Sequence, residues 1–102
     1  MPNSLNTFKP RLFSRNKLIT NLSITASTEA THTLQTNLNG IIVRARGNTE
    51  LRIAFVSGET DTNYITIRKG AVLSLTGLDF PQATLYVQGD GADTVEILEL
   101  YT

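Results

Sequence analysis

Residues 41–56, IIVRARGNTELRIAFV, decide the fold class. Side chains along an extended chain alternate between two faces. In the first half, Ile41, Val43 and Ala45 therefore share one face, and Arg44 and Arg46 point the other way. In the second half, Leu51, Ile53 and Phe55 fall together, with Arg52 opposite. Gly47-Asn48-Thr49 between them has turn composition. A two-residue period, β-branched residues and Gly/Asn punctuation predict strands. If the two runs pair as a hairpin, Arg44, Arg46 and Arg52 lie on one outer face.

The same texture extends in both directions. Leu18, Leu22, Ile24 and Ala26 alternate with Asn21, Ser23 and Thr25, and residues 30–36, ATHTLQT, are a weaker strand. Asn39-Gly40 precedes the deciding stretch and is a strong signal for a type I′ hairpin turn. Residues 57–62, SGETDT, read as a polar loop. Residues 63–68 then place Ile65 and Ile67 on the core side, before a tight turn at Lys69-Gly70. A strand over 71–75, a link over 77–82 containing Pro81, a strand over 83–88 and a turn over 89–92 lead into the last strand, 94–101. In that run Val95 and Ile97 alternate with Glu96, but Leu98 and Leu100 then alternate with Glu99. Either a β-bulge near Ile97-Leu98 flips the register, or the strand is buried on both faces. The expectation is an all-β domain over residues 18–102: a β-sandwich or jelly roll of seven to eight short antiparallel strands. Its expected core is Ile24, Val43, Ile53, Phe55, Ile65, Ile67, Leu73, Leu85, Val87 and Val95.

Residues 1–17, MPNSLNTFKPRLFSRNK, are different. They hold Lys9, Arg11, Arg15 and Lys17 and no acid, a charge of +4, whereas the remainder has five basic and nine acidic residues, −4. The neutral total of the 102-residue chain conceals this split. The segment reads as an extended basic arm, expected to be disordered in the free protein and to order on a partner. Phe8, Leu12 and Phe13 are its apolar anchors, and Lys9, Arg11, Arg15 and Lys17 its charged contacts. It lacks the apolar run of about 7–15 residues of a signal peptide, so synthesis in the cytoplasm is expected. No run approaches the roughly 20 apolar residues of a membrane helix, and no membrane partner is expected. Cysteine is absent, which removes disulfides and thiolate metal sites. Oligomerisation is then the usual source of extra burial for a small β domain.

Catalytic and cofactor chemistry is sparse. Gly89-Asp90-Gly91-Ala92-Asp93-Thr94-Val95 follows part of a calcium-binding nonapeptide, but one copy supplies half a site, and a Gly-Asp hairpin turn is the favoured reading. Glu59 and Asp61 sit two apart in a polar loop with nothing to split their pKa values. His32 is the single histidine and has no nucleophile motif around it. No cofactor, metal or enzymatic activity is expected. Nucleic acid is disfavoured by the acidic body and by a basic face without stacked aromatics. Arg44, Arg46 and Arg52, with Leu98, Leu100 and Tyr101 of the last strand, are the candidate subunit contact, meeting acids such as Glu96 or Glu99 of a neighbour.

The second half of the chain resembles small virion proteins of tailed bacteriophages, of the head-decoration or cement kind. The resemblance rests on R-I-A-F at Arg52–Phe55, N-Y-I-T-I-R-K-G at Asn63–Gly70, L-T-G-L-D-F at Leu75–Phe80 and the T-L-Y-V-Q…G-D…V-E-I-L-E-L ending. It covers about half the chain, and the arm has no part in it. It implies a non-enzymatic homotrimer on the capsid surface, made in the host cytoplasm, that binds the major capsid protein or another virion protein and strengthens the lattice. A tail or head–tail joining component and a carbohydrate-binding β-sandwich module are the alternative readings. The absence of Trp weighs against the flat aromatic platform such a module usually exposes.

Overall fold

The computed structural model of the chain describes residues 16–80 and 83–102, with residues 78–80 described as backbone alone. Among the described residues, eight strands form two four-stranded antiparallel sheets. In chain order they are β1 (Asn16–Ile24), β2 (Ala30–Thr33), β3 (Leu38–Ala45), β4 (Leu51–Ala54), β5 (Ile65–Ile67), β6 (Leu73–Phe80), β7 (Thr84–Gly89) and β8 (Asp93–Tyr101). Sheet one has the order β1-β8-β3-β6, and sheet two has β2-β7-β4-β5. Successive strands thus pass from one sheet to the other, except that β4 and β5 are neighbours in sheet two. This is the strand order of a jelly roll, in which two sheets share one interior.

The crossing connections overturn two expected hairpins. The runs in 41–56 do alternate as predicted, but β3 belongs to sheet one and β4 to sheet two. Residues 46–50 therefore bridge the sheets, and Arg52 is separated from Arg44 and Arg46. The Gly89–Ala92 segment likewise links β7 to β8 across the sandwich instead of closing a hairpin between them. Local turn chemistry identifies where a chain bends but not which sheet it enters next.

Asn39-Gly40 is not a turn. Both residues lie inside β3, and the reversal occurs at Thr36-Asn37, where Asn37 takes a left-handed φ of 58°. Asparagine tolerates that region because its short side chain bonds locally. Against β8, Leu38 faces Tyr101 and Gly40 faces Leu100. Two steps on β3 match one on β8, so Asn39 is the extra residue of a bulge. A Cβ on Gly40 would lie 3.2 Å from the Leu75 carbonyl oxygen, which accounts for a glycine at this point. Of the two readings offered for β8, the bulge near Ile97-Leu98 is not found there, and the irregularity lies in its neighbour β3. β8 itself keeps strict alternation, with Val95, Ile97 and Glu99 all fully buried and Leu98 and Leu100 on the opposite face.

Other boundaries move less. β1 begins at Asn16, two residues before the alternating pattern becomes apolar, so Lys17 is a strand residue. The 77–82 link is shorter than expected because β6 continues to Phe80. Lys69-Gly70 turns as predicted, with Ala71 N–H donating to the Arg68 carbonyl at 2.9 Å. The 57–62 loop contains one 3₁₀ turn, Glu59–Asp61.

The interior contains Ile24, Val43, Ile53, Ile67, Leu85, Val87 and Val95, as the alternation required, together with Leu34, Leu38, Ile41, Leu51 and Ile97. Leu73 and Phe55 pack against it only partly buried. Phe55 lies just beyond the end of β4, where strand phase no longer governs its direction. Ile65 departs from the expected core altogether. It sits on the edge strand β5 and is 49% exposed.

Candidate functional site

The outer face of sheet one carries apolar residues where a solvated sheet would carry polar ones. The β1–β8–β3 register places Ile19 opposite Leu98 and Leu98 opposite Ile42, so the three form a row across the sheet. Val72, just before β6, flanks it. Ile19 is 68% and Val72 50% exposed. With Arg44 and Glu96 they line a shallow groove of about 380 Å³. Leu100, one outward position further along β8, lies opposite Lys17 and Gly40.

The next row is ionic. Glu96 stands opposite Asn21 of β1 and Arg44 of β3. Arg44 Nε donates to Glu96 Oε1 at 2.7 Å, Arg46 Nε donates to Oε2 at 2.9 Å, and Arg46 Nη2 donates to Asn21 Oδ1 at 2.9 Å. The Arg44 hydrogen bond, followed by that of Arg46, holds the Glu96 carboxyl below the usual carboxylate range. One carboxylate between two guanidinium groups leaves this patch cationic.

Several predicted roles change. Glu96 meets Arg44 and Arg46 of its own chain, so the expectation that it answers them from a neighbour is corrected. Glu99 is fully buried inside the sandwich and is not a surface acid. Tyr101 shares the inward phase of Glu99, while Leu98 and Leu100 face out. Arg52 points from the outer face of sheet two. Its guanidinium lies 4.5 Å from the Tyr64 ring centroid, and its Nη1 is 3.5 Å from the Thr60 carbonyl oxygen and 3.8 Å from Asp61 Oδ1. Arg44, Arg46, Leu98 and Leu100 therefore share one face, and Arg52 and Tyr101 do not. Phe8, Lys9, Arg11, Leu12, Phe13 and Arg15 fall outside the described residues.

Comparisons with known proteins add the fold alone. No family model matches the chain, and no curated protein matches it. Among solved structures it is similar to a de novo designed double-stranded β-helix determined by solution NMR, at a TM-score of 0.51 and 10% identity over 83% of this chain and 99% of that one. This agrees with the two-sheet, interleaved strand order.

Loop carboxylates serve as caps. Asp93 accepts from Gly47 N–H at 3.0 Å and from Thr94 N–H at 2.6 Å. Its carboxyl is held low, first by the Thr49 hydroxyl and then by these amides and Arg46. Asp90 Oδ1 accepts from Glu50 N–H at 3.1 Å. The nonapeptide-like loop thus spends its two carboxylates on the backbone of the β3–β4 connection. Glu29 accepts from the Thr60 hydroxyl at 2.6 Å and from Gly58 N–H, and the hydroxyl contact leads in lowering its pKa. Among the described residues, no group of three or more His, Asp or Glu side chains is placed to hold a metal ion.

Two features escaped the sequence reading. Ile19 and Ile42 are the second members of the doublets Leu18-Ile19 and Ile41-Ile42, and a doublet in an alternating strand puts one apolar residue on each face. Glu99 pairs with His32 Nε2 from the facing sheet, and its Oε2 accepts from Gln35 N–H at 2.8 Å. His32 and Glu99 are 67 residues apart, and neither neighbourhood has the spacing of a known motif.

Proposed function

We propose that this chain is a non-enzymatic structural protein of a virion, a decoration or cement protein that binds the head surface of a tailed bacteriophage. It acts as a homotrimer. The outer face of sheet one is the subunit contact, and the basic N-terminal segment attaches to the major capsid protein or another virion protein. The observation that carries the reading is the row Ile19–Leu98–Ile42 with Val72 beside it. An apolar row rimmed by Arg44, Arg46 and Glu96 has the composition of an interface: an apolar centre, arginine and a charged rim. The family resemblance of the second half of the chain supplies the particle, and the charge of +4 on residues 1–17 supplies an attachment segment suited to an acidic lattice.

Co-sedimentation with purified, expanded phage heads lacking their decoration protein tests the reading. Saturable binding by the full chain, lost on deletion of residues 1–15 while the strand signals in circular dichroism persist, is the expected result. Full-strength binding by the truncated chain excludes the attachment role of the segment, and no binding to any such head excludes the function.

A further inference from the structure

Sheet two carries a separate polar cavity of about 140 Å³, lined by Ser27, Glu50, Arg52, Gln88, Gly89 and Asp90. Arg52 and Gln88 form its floor, facing each other across the β4–β7 pair. Three connections form its walls, β1–β2 through Ser27, β3–β4 through Glu50 and β7–β8 through Asp90, and the backbone ties them together. Ser27 N–H donates to the Gly89 carbonyl at 2.9 Å, and Asp90 N–H donates to the Glu50 carbonyl at 3.2 Å. Asp90 Oδ1 returns a bond to Glu50 N–H at 3.1 Å. Ser27 is held at a left-handed φ of 56°, an uncommon conformation for a residue other than glycine.

The floor groups are also pre-positioned. The Arg52 guanidinium rests on Tyr64 and leans on the Thr60 carbonyl, while the Gln88 amide lies 2.9 Å from the Thr60 hydroxyl. One buried threonine of the 3₁₀ turn therefore orients both. A guanidinium has five N–H donors in a fixed fork, so the contact to Thr60 leaves donors for a ligand.

The charges define what fits. An anion would face the two carboxylates of Glu50 and Asp90. A bare divalent cation would face Arg52, and the cavity offers two carboxylates where calcium takes six to eight oxygens. A neutral molecule dense in both donors and acceptors satisfies every wall. Vicinal hydroxyls donate to a carboxylate and accept from the guanidinium fork and the Gln88 amide. The volume is well below the roughly 300–1,000 Å³ of sites for drug-sized ligands, which limits the occupant to one small ring. We infer that this cavity binds a single neutral pyranose unit of a saccharide through its vicinal hydroxyls. The site is on the opposite sheet from the Ile19–Leu98–Ile42 row, so its test is independent of the assembly proposed above.

The test is a ¹H–¹⁵N NMR titration of the full-length protein with the methyl glycosides of glucose, galactose, mannose and N-acetylglucosamine, in parallel with calcium chloride and inorganic phosphate. The expected result is saturable shifts of the Ser27, Gly89 and Asp90 amides with at least one glycoside at millimolar concentration. Binding should weaken tenfold or more in Arg52→Met and in Gln88→Ala, each with an otherwise unchanged spectrum. Absence of saturable shifts with all four glycosides overturns the inference. So does saturation by calcium or phosphate alone, or glycoside binding that both variants retain.

Discussion

Glu99 of β8 and His32 of β2 meet across the interior, each from a different sheet. Glu99 is fully buried, and the His32 side chain is 13% exposed. A buried carboxyl group is costly unless hydrogen bonds answer it, and His32 Nε2 and the Gln35 N–H supply two. The pair fastens the end of β8 to the opposite sheet. His32→Leu should cost about 1–3 kcal/mol by leaving the buried Glu99 carboxyl without one of its hydrogen-bond partners. The double replacement His32→Leu/Glu99→Met should recover most of that loss, because both polar groups leave together. Urea unfolding of His32→Leu, Glu99→Met and the double variant measures the coupling. Additive losses would show that the pair is not an energetic unit.

Gly89 is the tightest point of the β7 end. A Cβ there would lie 2.6 Å from Ile24 Cδ1, 3.0 Å from Thr49 Cγ2 and 3.1 Å from the Gly91 carbonyl oxygen. Gly89→Ala should therefore destabilise by about 1–3 kcal/mol through overpacking. Ile24→Val removes the nearest atom, so the double variant should lose less than the sum of the single losses. Chemical denaturation of all three variants checks the sign of the coupling.

These contacts mark the limit of what the sequence discloses. Alternation in 41–56 places Val43 and Ile53 in the core because strand phase is a local property. The partner sheet of each strand is not local, which is why Arg52 leaves the company of Arg44 and Arg46. The apolar face of β8 reads as switching at Leu98 because a buried glutamate breaks the pattern. Its buried position depends on His32, which only the fold brings near. The Ile19–Leu98–Ile42 row is legible in hindsight from two doublets, but its register needs the bulge at Asn39.

Asn37 carries the true reversal before β3 at φ 58°. Asn37→Gly should leave stability nearly unchanged or raise it slightly, while Asn37→Val should lower it by about 1–2 kcal/mol, because a β-branched residue resists the left-handed region. Thermal melts of the two variants decide this. Equal melting temperatures would place the strain elsewhere.

Acid should loosen the loops before the core. The carboxyls of Glu29, Asp93 and Glu96 are all held below their ordinary range by hydrogen bonds to Thr60, to Thr49 and to Arg44 and Arg46. In the unfolded chain they take up protons near pH 4, and in the folded chain only below that. The stability they contribute is thus complete above about pH 5 and is lost as pH falls through their folded values. Urea midpoints measured from pH 6 to pH 2.5 should fall below about pH 4.5. Asp93→Asn should flatten part of that fall, and an unchanged profile in Asp93→Asn would remove it from the account.

The mass of the purified full-length protein in solution, measured by light scattering at micromolar concentration, tests most directly the claim that sheet one is a subunit face. A trimer is predicted, three times the 11.2 kDa chain. Leu98→Ser/Leu100→Ser should convert it to a folded monomer, because both side chains leave the outer face and not the core. A wild-type protein that stays at the mass of one chain would contradict the account, as would a variant that remains trimeric.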